Sequence, residues 1–102
     1  VNRLRLPNRR QHEIHDLEFH GQVFTIGAGR FTDSSLAEVF IDTAKSSQMS
    51  ALARDAAITL SIALQHGVTA DSIRNAITRE SNGIAAGLVG AVLDHLEGGA
   101  NG

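Results

Sequence analysis

His12, His15 and His20 lie within nine residues of one another, with Asp16 and Glu18 between them. These side chains bind transition metals or hard cations when they converge from one face. In an extended strand, residues 12 and 20 share a face while residue 15 points the other way. Asp16, Glu18 and His20 could meet a hard cation, but the spacing reads more simply as a solvated strand face, and no metal site is assigned. Nucleophilic chemistry has no better footing. The serines of "TDSS" and "SSQMS" occupy turn and cap positions with no base in view, and "GAGR" at 27–30 lacks the spacing and following helix of a phosphate loop. No catalytic residue and no cofactor is expected. His66 closes a helix, where a cation suits the dipole without any catalytic role.

Two basic features suggest anion binding. Arg3, Arg5, Arg9 and Arg10 put four of the nine basic residues into the first ten positions, with no acid among them. Clustered guanidinium forks suit phosphate, a nucleotide or an acidic partner surface; the competing reading is a solvated tail or an edge guard. The second feature is "ALQHGVTADSIRNAITRE" at 63–80, which has the rhythm of a helix-turn-helix with Arg74, Asn75 and Arg79 exposed. Asp71 and Glu80 flank that face and would repel a nucleic-acid backbone, so a structural αα corner is preferred to a DNA reader. A net charge of −2 also argues against broad nucleic-acid capture.

The elements that must position these residues follow from periodicity. The 102 residues suit one domain, and zero cysteines exclude disulfides and thiol chemistry. There is no apolar run of the roughly 18 residues needed to span a membrane, and the basic start lacks the apolar segment of a signal peptide, so a cytoplasmic location is expected. Residues 1–13, with the single Pro7, read as a basic extended arm, 14–97 as one domain, and 98–102 as a flexible tail.

"EIHDLEF" alternates, placing His15, Leu17 and Phe19 on one face. His20-Gly21-Gln22 is a hairpin turn, and "VFTIGAGRF" places Phe24, Ile26 and Ala28 together with Gly27 and Gly29 opposite. "LAEVFI" is a third strand. A helix is then predicted from about Ser50 to His66, with Leu52, Ala53, Ala56, Ala57, Leu60, Ala63 and Leu64 on its core arc. Ile58 and Ile62 fall on the polar side, one turn apart, and suggest a second contact, with the next helix or another subunit. Gly67 ends this helix, Thr69 caps a second running to about Arg79, and "LVGAVLDHLE" forms a third. The expected fold is α+β: a three-stranded antiparallel meander followed by three helices packed on one face.

"RLPNRR" at 5–10, "LAEVFI" at 36–41 and "ARDAAITLSIALQHGVTADSI" at 53–73 together resemble the TSCPD domain family. This module ends adenosylcobalamin-dependent ribonucleotide reductases and also occurs as short stand-alone bacterial proteins. Its most specific match is the Ser-x-x-Leu-x-x-Gly-Val pattern from Ser61 to Val68. The resemblance implies an αα corner without DNA and a setting in nucleotide metabolism. The reductase-linked relatives carry cysteines near their ends, tied to metal binding or redox relay; this chain has none, so that role transfers to no residue here. An accessory, non-enzymatic protein-binding module is expected, a homodimer using Ile58 and Ile62, with a ribonucleotide reductase subunit as its partner. The alternative is a small nucleic-acid or nucleotide binder using the Arg arm and Arg74, Asn75 and Arg79.

Overall fold

A computed structural model describes residues 11–98. Strands β1 (Gln11–Phe19), β2 (Gln22–Arg30) and β3 (Leu36–Asp42) precede helices α1 (Ser47–Gln65), α2 (Ala70–Ala76) and α3 (Leu88–Glu97). The sheet is antiparallel with spatial order β1-β2-β3, as short connections require. It is the expected α+β meander followed by three helices.

Phe19 pairs with Gln22 across a two-residue turn, in which His20 and Gly21 have φ of 52° and 77°. Two positive φ values make a type I′ turn, whose twist matches that of the flanking strands. Across the sheet, Leu17 stands opposite Phe24, and His15, Ile26 and Ile41 share one row. These side chains face the helices, where Leu60, Leu64, Val92 and Leu93 close the core over them. No described helix or strand covers the opposite face. Its glycines are explained by close cover: a Cβ on Gly27 would lie 3.3 Å from the Phe40 ring, and one on Gly29 would lie 2.7 Å from the Glu38 carboxylate. Glycine here admits a larger neighbour onto the strand.

Four details differ from the sequence reading. Strand β1 begins at Gln11, so residues 11–13 belong to the sheet and not to the arm; the signal was obscured because Glu13 faces the helices in place of an apolar residue. Helix α1 begins at Ser47, because the Ser46 side chain accepts the Met49 N–H at 3.0 Å. Its buried arc is also rotated. Ser61 and Gln65 are buried, whereas Leu52 is 61% exposed. The helix turns polar side chains inward because it lies along an edge strand, where backbone groups need partners.

At the corner, the Val68 N–H donates to the Ala63 carbonyl and the Gly67 N–H to the Leu64 carbonyl, with Gly67 at φ 97°. This is a Schellman motif, and Thr69 caps α2 by accepting the Ser72 N–H at 3.1 Å. Helix α2 stops at Ala76, three residues short of Arg79, because Ile77 turns extended. That turn brings Ile77 against Gly90 of α3, where only a glycine leaves room.

Candidate interaction surface

Helix α1 and strand β3 enclose a groove of about 440 Å³. Its floor is the outer edge of β3. There Ser61 Oγ donates to the Val39 carbonyl at 3.0 Å and accepts the Val39 N–H at 2.8 Å. One turn on, Gln65 Nε2 donates to the Ala37 carbonyl at 3.1 Å. Two side chains of α1 thus stand in for a neighbouring strand, satisfying groups that are costly to bury without partners. This explains why the helix buries its polar flank and leaves Ile58 and Ile62 outward.

The walls are apolar. Phe40 is 58% exposed, Ile58 57% and Ile62 42%, and all three line the groove. Sequence periodicity singled out the two isoleucines; Phe40 was missed as a surface residue, since a phenylalanine in "LAEVFI" reads as core. Its strand parity opposite Val39 and Ile41 was the available signal. Phe40 also borders a depression on the open sheet face with Ile14 and Gly27, so the apolar surface continues from α1 across β3. At the rim stand Arg54 and Asp42. Asp42 accepts the Ser50 hydroxyl at 2.5 Å and the Thr43 N–H at 2.8 Å, which hold its carboxyl below the usual range.

The residues proposed for nucleic-acid contact are placed differently. Arg74 Nε donates to Asp94 Oδ1 at 3.0 Å, while Arg79 donates from Nη1 to Oδ2 at 2.7 Å and from Nη2 to Oδ1 at 2.9 Å. Arg79 also reaches the carbonyls of Arg74 and Gly83. The bonds from Arg79, joined by those from Arg74, outweigh the effect of burial and hold the Asp94 carboxyl down at about 2. Asp71 adds a second acid 3.6 Å from Arg74. Both guanidinium groups therefore clamp α2 and the following loop to α3, and only Asn75 stands exposed without such an acid. Arg3, Arg5, Arg9 and Arg10 lie outside the described residues.

A second ionic cluster had no sequence signal. Arg30 Nε donates to Glu13 Oε2, Nη1 donates to Glu97 Oε2 at 2.8 Å, and Nη2 donates to the Leu96 carbonyl at 3.1 Å. The Arg30 hydrogen bond, opposed by burial and aided by His15, holds the Glu13 carboxyl below its usual range. His15 Nε2 lies 3.1 Å from Glu13 Oε1, and its ring meets His95 edge-on at 4.9 Å. The cluster joins the start of β1 to the end of α3. His12 is exposed on the open face and His20 sits in the turn against Phe19, so the structure does not bring the three early histidines together. Among the described residues no three His, Asp or Glu side chains converge to hold a metal ion. No helix among them is long and apolar enough to cross a membrane.

Searches of family models, of curated proteins and of solved structures returned no match to this chain.

Proposed function

We propose that the protein is a non-enzymatic accessory module that self-associates, and that it docks on another protein through the groove between α1 and β3. The observation that carries this reading is the exposed trio Phe40, Ile58 and Ile62, which present one continuous apolar surface beside the charged rim of Arg54 and Asp42. Exposed apolar patches with polar rims mark interaction sites in soluble proteins. The partner we propose is a ribonucleotide reductase subunit. The resemblance of 53–73 to the TSCPD module supports it, because that stretch includes the α1 residues Arg54, Ile58 and Ile62 that line the groove.

The nucleic-acid alternative loses support from the Asp94 clamp, which occupies both arginines of the candidate reading helix. The test is binding of a reductase catalytic subunit to the full chain by calorimetry. Ile62→Glu or Phe40→Ser weakens the complex by roughly 30-fold if these are anchor residues. No binding of the unaltered chain at about 10 μM, or binding indifferent to both substitutions, refutes the docking role.

A further inference from the structure

The two edges of the sheet are finished differently. At the β3 edge, Ser61 and Gln65 take up the outward groups of Val39 and Ala37. At the β1 edge, no other described residue forms a backbone hydrogen bond with the strand from outside. Backbone groups of an antiparallel strand alternate between its two neighbours. Val39 points away from β2, so its neighbour Phe40 bonds to Gly27 and the chain of alternation continues into β1. Glu13, His15, Leu17 and Phe19 then bond to β2, in agreement with the closing pair of the two-residue turn. His12, Ile14, Asp16 and Glu18 direct their N–H and C=O groups outward. The same four side chains lie exposed on the open face, Ile14 at 79%.

We infer that this edge takes β1 of a second copy, antiparallel about a two-fold axis through Ile14. The inference deepens the self-association half of the proposed function and does not rest on the groove. Facing residues in such a pair must share parity, so the axis can pass only through a residue position. An axis through Asp16 sets Asp16 against itself, one through Glu13 sets Glu13 against itself, and one through Leu17 sets Glu18 against Asp16. An axis through His15 sets Leu17 against Glu13. With the axis through Ile14, each Ile14 packs on its twin, His12 faces the second copy's Asp16, and Glu13 faces the second copy's His15. On the open face each Asp16 meets an imidazole; on the helix face Glu13 and His15, already 3.1 Å apart within each copy, meet the same pair of the second copy, and the two-fold doubles these contacts. Helix α3 packs on β1 but leaves its helix face partly open, with 37% of the His15 side chain and 30% of that of Glu13 in solvent. The product is a continuous six-stranded sheet whose two outer edges are the β3 edges served by α1, so growth stops at two copies.

Sedimentation equilibrium on the full chain tests this. A dimer is expected, abolished by Ile14→Lys and unchanged by Ile62→Glu. His12→Asp alone, or Asp16→His alone, weakens it roughly tenfold, and the two together restore it, because the swapped pair is complementary again. Ile14→Cys, the only thiol in the chain, yields a covalent dimer on oxidation. A monomer up to roughly 1 mM refutes self-association altogether. A dimer lost with Ile62→Glu but kept with Ile14→Lys refutes the edge alone and leaves self-association standing. A double swap that fails to restore the dimer overturns the Ile14 register.

Discussion

Asp94→Asn tests the claim that Arg74 and Arg79 are structural clamps. The wild-type carboxyl is held at about 2 against an ordinary value of 3.8. That drop corresponds to about 2.5 kcal/mol of preference for the charged form in the folded state. Since 32% of the Asp94 side chain is exposed, solvent screening reduces the useful contribution to about 1–2 kcal/mol. The folded value lies below the unfolded one, so the contribution is complete above about pH 4 and is lost as pH falls toward 2. By pH 3 about half of it is gone. Asparagine matches the shape but lacks the charge and turns an amide toward the guanidinium donors. Urea denaturation should therefore show the variant about 1–2 kcal/mol less stable at pH 7, with a melting temperature lower by roughly 5–12 °C. The gap between wild type and variant should narrow from pH 4.5 to pH 3. Asp71→Asn is the control: Asp71 is largely exposed and 3.6 Å from Arg74, so its loss costs less than about 0.5 kcal/mol. Equal costs for the two substitutions, or a gap that stays constant across that pH window, would refute the clamp.

Ser61→Ala leaves the Val39 N–H and C=O without their side-chain partner at a buried position, and should cost about 1–3 kcal/mol with faster hydrogen exchange at the Val39 amide. Slow exchange and unchanged stability would mean that the β3 edge does not depend on this helix. Gly90→Ala places a Cβ 2.6 Å from Ile77 Cδ1 and 2.9 Å from the Ala85 Cβ, so it should destabilise by about 1–3 kcal/mol despite the better helix propensity of alanine. Adding Ile77→Val should recover part of that loss in thermal melts; no recovery would place the strain elsewhere.

Parity and punctuation made much of the fold legible. The alternation of Phe24, Ile26 and Ala28 located the buried face of β2, and the "HGVT" stretch announced the end of α1 and the cap of α2. Part of the candidate surface was legible too, because Ile58 and Ile62 stand off the core arc and remain exposed in the structure. Phe40 was not, since composition treats an aromatic strand residue as core. Ser61 and Gln65 lie outside the core arc that periodicity predicts, because polar residues usually face water. Their burial depends on where an edge strand leaves backbone groups open, and periodicity along one helix carries no such information.

The amino-acid order by itself determined the local choices: which stretches extend, which coil, where the turns fall, and which face of each strand is apolar. Those choices rest on interactions between residues a few positions apart, so they can be read along the chain. The partners of the charged groups were decided only by tertiary packing. Arg30 meets Glu97 across 67 positions, and Arg79 meets Asp94 across 15 after a helix that ends early. An arginine in sequence looks the same whether it waits for a phosphate or grips a carboxylate. The difference is made when folding brings an acid to within hydrogen-bond distance of it.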